Sequence, residues 1–273
     1  MKMPTRTIAL LFSLIVSYTA NSQKIEIKNF SIGYRVFEIS PVGNNPITIV
    51  PLLKDPVAYQ NFLRTINYNN LYGNPGIQQL HTFYISTELQ VDSPVSRFWK
   101  KHTLQTGIHF TAPLVQSAGA LADQHYTYLP DTVLHDNQYS LVKNQQFFGA
   151  QAGINRRFNI SKKLKAVAGL QVQGSVAIVH YYQQQWDSST YSSGQGLKTH
   201  VSSLPNLNGK NFFQWQAMIP LGFEYPIYQR KLFLRLEFCI GIIGGRYRPK
   251  DFSANEAHGA GISIIFQPKK RNS

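Results

Sequence analysis

Apolar and polar residues alternate with a period of two along much of this chain of 273 residues. The clearest stretch covers residues 213–225, where aromatic and aliphatic side chains share one face, and Gln, Gly and Glu occur on the other. Such alternation is typical of β-strands whose two faces meet different surroundings. Eight stretches of this kind predict eight strands, at 30–39, 82–91, 104–111, 147–158, 166–178, 213–225, 232–242 and 257–266.

The connections between these strands are alternately long and short. Three are long, at 40–78, 113–144 and 183–211. Three are short, at 92–101, 159–163 and 226–231, and the last, at 245–256, is of moderate length. Each strand has about the 9–11 residues that a tilted strand needs to cross a bilayer, and short periplasmic turns with long external loops are the layout of outer-membrane barrels. We predict an all-β protein, an eight-stranded antiparallel up-and-down transmembrane β-barrel, with a count of ten strands left open.

Amphipathic strands also suit a soluble up-and-down barrel of the lipocalin kind, in which the apolar face lies inside. A polar face with many Gln and Gly and few charges favours the membrane barrel instead. Aromatic residues also gather near the strand ends, as in interfacial girdles. One predicted girdle contains Phe98, Trp99, Phe158, Tyr225 and Tyr228. The other contains Tyr181, Tyr182, Trp186 and Trp215.

The polar face carries charges that the alternation places inside the barrel. They are Arg35, Glu88, Glu224, Arg235 and Glu237. Eight strands leave an interior just wide enough for side chains to fill, and an isolated buried charge is very costly. We therefore expect a salt-bridged plug, in which Glu224 and Arg235 lie opposite each other across a short turn. A narrow gated pore is the alternative function of the same residues.

The formal net charge of +14 would suit a nucleic-acid-binding protein, but the first residues argue against that function. Lys2 and Arg6 precede a short apolar run at 8–16, and small residues follow, which is the layout of a cleaved secretory signal peptide. We expect a signal peptide at 1–22, the barrel at 23–267 and a basic periplasmic tail at 268–273. An exported protein meets little nucleic acid, so no nucleic-acid partner is expected.

Basic residues concentrate on the side of the short turns. The predicted basic periplasmic rim consists of Arg97, Lys100, Lys101, Arg156, Arg157, Lys162, Lys163 and Lys165. Such a rim can pair with anionic lipid headgroups, at about 1 kcal/mol per residue near a charged surface. Binding of an acidic periplasmic partner is the more specific alternative.

The last predicted strand contains the motif GISIIF, in which Gly261 precedes alternating apolar residues that include Ile264 and end in the aromatic Phe266. With its signal peptide and eight strands, the chain resembles small outer-membrane β-barrels of the OmpA/OmpX type, and most closely the PorT-like outer-membrane barrel families. The resemblance implies the outer membrane of a Gram-negative bacterium, with its lipids and lipopolysaccharide as surroundings. It also implies recognition of GISIIF by the barrel-insertion machinery, and service to a secretion or gliding apparatus.

The sequence contains no HExxH, GxSxG, Walker loop or GxGxxG motif. We therefore expect a non-enzymatic structural or interaction protein with a periplasmic or surface protein partner, and no cofactor or metal. A distant alternative is a lipid-modifying enzyme that uses His180 with Ser188 or Ser189.

Two further groups have an ordinary structural explanation. Asp131, His135 and Asp136 have side chains that could coordinate a cation, but a solvated loop is the preferred interpretation. Cys239, the only cysteine, is expected to be a small packed residue of the lumen.

Overall fold

The computed structural model describes residues 24–39, 53–65, 70–72, 78–92, 97–127, 133–192, 196–228, 231–246 and 253–268. The signal peptide expected at 1–22, and nearly all of the tail expected at 268–273, lie outside the described residues. The strands are β1 (Lys24–Ile39), β2 (Asn70–Tyr72), β3 (Gln78–Asp92), β4 (His102–Thr111), β5 (Leu114–Thr127), β6 (Val133–Asn159), β7 (Lys165–Ser192), β8 (Gly196–Asn208), β9 (Phe213–Tyr228), β10 (Leu232–Arg246) and β11 (Ser253–Phe266). The helices are α1 (Pro56–Thr65) and α2 (Arg97–Lys101), and neither is long and apolar enough to cross a membrane.

Eight of the described strands close into a ring. Their order is β1, β3, β4, β6, β7, β9, β10 and β11, and β11 pairs back to β1. All of these pairs are antiparallel, and each of the eight predicted strands lies within one member of the ring. A closed ring pairs the backbone groups of every strand with those of its neighbours, as a span through lipid requires. The predicted eight-stranded barrel is confirmed.

The two faces of the ring are the reverse of those in a soluble barrel. Outward residues are apolar and exposed, for example Leu236 at 54% and Ile264 at 55%. Inward residues include Arg35, Glu88 and Gln171, none of them more than 1% exposed. An apolar belt around a polar interior is the arrangement of a transmembrane barrel.

The ring has two different ends. We call the end with the short β3–β4, β6–β7 and β9–β10 connections the turn end, and the opposite end the loop end. Near the loop end the interior changes from polar to apolar. The cluster there contains Phe37, Leu80, Met218, Cys239, Ile243 and Ala257. The lumen is therefore filled by side chains at this level as well, and Cys239 is packed inside it at 1% exposure.

Two strands of the ring continue far past its loop end. Residues 133–146 of β6 stay paired with β7, over about 45 Å at ~3.3 Å per residue. β5 and β2 add to the β6 side and β8 adds to the β7 side, which gives a sheet in the order β2-β5-β6-β7-β8, called here the loop-end sheet. Much of the connections at 113–144 and 183–211 is therefore strand. These strands lack the alternation of the ring because their outer face does not meet lipid.

Helix α1 packs against the loop-end sheet. The Asp55 carboxylate accepts a hydrogen bond from the Ala58 backbone N–H at 3.3 Å, and Pro56 occupies the first turn, which is a favourable way to begin a helix. Tyr59 of α1 is 1% exposed, and it belongs to a cluster with Leu53, Tyr139, Leu141 and Tyr182.

This packing corrects the predicted girdle that contains Tyr182 and Trp186, because these two side chains do not face lipid. Tyr182 is fully buried in the cluster beside α1, and Trp186 packs against the same cluster. The reason is a register shift in the β6–β7 pair, where Gln146 pairs with Val179 and Phe147 pairs with Ala177. The extra residue, Ile178, moves the following even-numbered positions of β7 to the inner face. At the turn end, Phe98, Phe158, Tyr225 and Tyr228 are exposed as a girdle requires.

Candidate functional site: the ion-paired lumen

One group of ion-paired side chains lies in the middle of the lumen. Arg35 of β1 donates from Nε to Glu237 Oε1 of β10 at 2.7 Å. The Tyr84 hydroxyl donates to the same oxygen at 2.9 Å, and the Arg35 guanidinium carbon lies 4.3 Å from the centre of the Tyr84 ring. Three strands, β1, β3 and β10, are thereby joined across the interior.

Two glycines leave the space for this group. A Cβ atom on Gly33 would lie 2.4 Å from Cζ of Tyr84, and one on Gly261 would lie 2.7 Å from Cγ of Arg35. Both distances are far below ordinary van der Waals contact. A larger residue at either position would have to displace the tyrosine or the arginine from the centre of the lumen.

A second group of four charges lies nearer the turn end. Arg235 Nη2 is 2.7 Å from Glu88 Oε1, and Arg235 Nε donates to Glu224 Oε1 at 3.0 Å. Arg157 Nε donates to Glu224 Oε2 at 2.9 Å, and its Nη2 also pairs with Glu88. Glu224 and Arg235 are directly opposite each other in the β9–β10 register. Each carboxylate thus contacts two guanidinium groups.

Amide and hydroxyl groups surround the second group. Asn29 Nδ2 donates to Glu88 Oε2 at 2.8 Å, and Asn155 Nδ2 donates to Gln105 Oε1 at 2.9 Å. Gln105 Nε2 in turn donates to the Ser86 hydroxyl at 2.8 Å. Asn155 Nδ2 also donates to Glu88 Oε1 at 3.2 Å, so two amides bond to this carboxylate. Hydrogen bonds to the remaining acceptor positions of a buried carboxylate make such ion pairs tolerable inside a protein.

The charges in these two groups balance. Three carboxylates face three guanidinium groups among the described residues, and every one of the six takes part in an ion pair. The five charges predicted in the lumen, Arg35, Glu88, Glu224, Arg235 and Glu237, all belong to these groups. A balanced, cross-linked interior is suited to closing the lumen and to holding the strands together.

Arg157 does not lie in the basic rim, where the sequence predicted it. Its position beside a short turn suggests the basic rim, but its guanidinium lies in the lumen between Glu88 and Glu224. Arg157 is three residues from the start of the β6–β7 turn, and a long side chain there can reach either the solvent or the interior. The carboxylates of Glu88 in β3 and Glu224 in β9 hold it in the interior. The sequence does not show that these two strands bring their carboxylates close to Arg157.

The other predicted rim residues lie at the turn end. Arg97 begins α2, and Lys100 and Lys101 are exposed residues of the same helix. Lys162 and Lys163 are exposed in the β6–β7 turn. Arg156 lies 4.8 Å from the centre of the Phe158 ring, and Lys165 lies 5.3 Å from that of Phe233.

The GISIIF motif forms the end of β11, which closes the ring. Phe266 is opposite Phe30 of β1 and Leu232 of β10. Ile264 and Phe266 are both exposed on the outward face. A role of Gly261, Ile264 and Phe266 in recognition by the insertion machinery stays a prediction.

Two other groups of candidate residues are not brought together. His180 Nδ1 lies 2.7 Å from the Lys210 carbonyl oxygen, while Ser188 is about 25 Å farther along β7 at ~3.3 Å per residue. The Ser189 hydroxyl donates to Thr199 Oγ1 at 3.3 Å. Asp131 lies outside the described residues, and in the described part no three His, Cys, Asp or Glu residues are placed to hold a metal ion.

No protein-family model matches the chain, and no curated protein sequence is similar enough to match it. Among solved structures, the chain is similar to Neisserial surface protein A, with 7% identity and a TM-score of 0.31 over 88% of this chain and 97% of that one. It is also similar to the outer membrane protease OmpT from Escherichia coli, with 10% identity and a TM-score of 0.30 over 91% and 97% of the two chains. The barrel itself is established by the closed ring of strand pairings, and the roles of these proteins are not carried over.

Proposed function

We propose that the protein is a non-enzymatic integral barrel of the outer membrane of a Gram-negative bacterium, which serves as a structural or interaction protein and not as an open pore. The observation that carries this proposal is the ion-paired lumen, in which six charged side chains from five strands are joined across the interior. The apolar cluster near the loop end fills the lumen at a second level.

The orientation follows from the connections. Short turns of outer-membrane barrels lie in the periplasm and long loops lie outside the cell, so the turn end would face the periplasm. The loop-end sheet would then project from the cell surface, among the lipopolysaccharide of the outer leaflet.

The loop-end sheet offers the interaction surface. β8 is exposed along most of its length, with Leu197 at 67% and Val201 at 57% exposure, and among the described strands it forms one edge of this sheet. Unpaired backbone groups on a strand edge can pair with an extended segment of another protein. Service to a secretion or gliding apparatus, which the resemblance to PorT-like barrels implies, would use such a surface.

The proposal is tested by electrical recording from the purified protein in planar lipid bilayers, with a porin as the positive control. We expect no stepwise current from the wild-type protein, and none from Glu224→Ala, because the Arg35–Glu237 pair and the apolar cluster still fill the lumen. Insertion would be verified on the same samples by heat-modifiable migration in gels.

The competing function is a narrow gated pore. Stepwise currents from the wild-type protein that change in size or gating in Glu224→Ala would establish that function and reject a closed barrel. The matched control is Glu256→Ala, which removes the same charge from an exposed residue at the loop end. It should leave any current unchanged.

A further inference from the structure

The turn end of the lumen opens into a cavity of about 570 Å³. All eight strands of the ring contribute to its wall, together with α2. The ion pairs of Glu88, Glu224, Arg157 and Arg235 lie at its inner side, so the cavity ends blindly against the closed part of the lumen. It is therefore a concave pocket that does not continue through the ion-paired part of the lumen.

The wall of this cavity is strongly cationic. Among the described residues, its basic side chains are Lys28, Lys100, Lys101, Arg157 and Lys165, against the carboxylate of Glu224. Arg156 also lines the cavity, but its guanidinium lies over the outward Phe158 ring. Part of this charge is already used, since Glu224 and Arg157 pair with each other and Lys28 pairs with Glu26 at 2.9 Å. Among the described residues, Lys100, Lys101 and Lys165 form no ion pair. These three ammonium groups are available to an anionic ligand.

The rest of the wall favours a peptide over a lipid headgroup. Headgroups lie around the outside of a barrel, whereas this cavity lies within the ring of strands. Besides its cations, the wall carries the amide side chain of Asn159, which can bond to the N–H and C=O groups of a peptide backbone. The amide nitrogens of Asn29 and Gln90 already donate to Glu88 and to the Trp99 and His102 carbonyl oxygens, so these two residues offer their side-chain oxygens as acceptors. Phe233 and Ile265 add an apolar part to the wall, against which the aliphatic portion of a side chain can pack.

We propose that this cavity binds a short acidic segment of a periplasmic protein, with Lys100, Lys101 and Lys165 holding its carboxylates. The proposal rests on the proposed function in one respect, namely that the turn end faces the periplasm. A cationic cavity attracts an acidic segment over a distance of about a Debye length, and the attraction weakens as salt is added.

The test uses the full-length protein in neutral phosphatidylcholine nanodiscs and a fluorescent hexapeptide of alternating Glu and Ser with blocked ends. Fluorescence anisotropy should show binding that weakens with added salt. The variant Lys100→Gln/Lys101→Gln/Lys165→Gln should weaken binding by about tenfold or more, because three partly exposed ion pairs are lost. The same peptide with Gln in place of Glu should not bind.

The matched control is Lys162→Gln/Lys163→Gln/Lys231→Gln, which removes the same charge from turn-end residues that do not line the cavity. It should weaken binding by less than about threefold, the share expected of long-range attraction alone. Equal losses in the two triple variants, or no loss in the first, would overturn the proposal. Heat-modifiable migration verifies that every variant is folded.

A phosphate ligand is distinguished by competition with glycerol 3-phosphate, which carries headgroup chemistry in soluble form. We expect it to displace the peptide only in large excess. Displacement at a concentration equal to that of the peptide would assign the cavity to phosphate groups and overturn the proposal. Neither result bears on the closed lumen, which the bilayer recordings test separately.

Discussion

At the scale of single residues, the lumen charges are stable only as partners of one another. Arg35 is fully buried and Glu237 is 6% exposed, so neither has water as an alternative partner. Removal of one member of a buried pair leaves an uncompensated charge, whereas replacement of both by apolar residues of similar volume is often neutral. The Arg35–Glu237 pair allows a direct test of this rule.

Arg35→Met is expected to lower the free energy of unfolding by about 3–5 kcal/mol, and the double variant Arg35→Met/Glu237→Met by clearly less. Urea unfolding in lipid vesicles measures both. The control is Lys28→Met at the turn end, where the Lys28–Glu26 pair has a similar distance of 2.9 Å but is partly exposed, and where a loss of about 0–1 kcal/mol is expected. A double variant as unstable as the single one would contradict the rule here, because the loss in Arg35→Met would then not come from the unpaired carboxylate of Glu237.

The alternation of polar and apolar residues suffices to place the five predicted lumen charges, because a strand in a closed ring has only two faces. It even places Glu224 opposite Arg235, since a short turn restricts the register of a hairpin. It cannot place Arg157, whose direction depends on two carboxylates brought from distant strands. Nor can it show that Gly33 provides space for Tyr84, because that contact crosses between β1 and β3.

At the scale of elements, the ring strands could be predicted and the loop-end sheet could not. Lipid on one side and a packed polar lumen on the other impose a strict alternation on the ring. The parts of β6 and β7 in the loop-end sheet meet no lipid. The extra residue Ile178 changes which positions of β7 face inward at the point where the two strands leave the ring. The burial of Tyr182 follows from that shift, and a single bulge residue leaves no recognisable sign in the sequence.

Lys143 offers a test of packing in the loop-end sheet. It lies in β6 opposite Tyr182, beyond the ring, and burial lowers its pKa from the ordinary 10.5 to about 8. Between pH 8 and pH 10.5, Lys143 binds a proton more readily in the unfolded segment than in the folded one. The free energy of unfolding of the sheet should therefore rise as the pH increases from about 8 to 10.5.

The measurement is the rate at which an alkaline-active protease cleaves the loop-end sheet. Cleavage of the wild-type protein should slow relative to that of Lys143→Met as the pH rises through this range. At pH 7 the methionine variant should resist cleavage better, because it avoids burying an ammonium group. Lys198→Met, an exposed change in β8, serves as the control and should follow the wild type. Parallel profiles for wild type and Lys143→Met would show that the lysine is solvated.

At the scale of the whole molecule, the apolar outward face is what makes the ring a membrane protein, and the depth of each residue sets the cost of changing it. Ile240 lies midway along β10 with 45% exposure, whereas Ile227 lies at the turn end of β9 with 56% exposure. An arginine on the lipid face costs about 2–4 kcal/mol at the bilayer midplane and about 0–1 kcal/mol near the interface.

Ile240→Arg should therefore reduce the fraction of protein that folds into lipid vesicles far more than Ile227→Arg, although Ile227 is the more exposed of the two residues. Heat-modifiable migration on gels measures that fraction, and urea unfolding in vesicles measures the difference in free energy. In a water-soluble barrel the two variants would fold equally well, because water would solvate an arginine at either exposed position. Equal folding of the two variants would therefore contradict a transmembrane ring, whereas a depth-dependent loss can arise only if lipid surrounds the outward face.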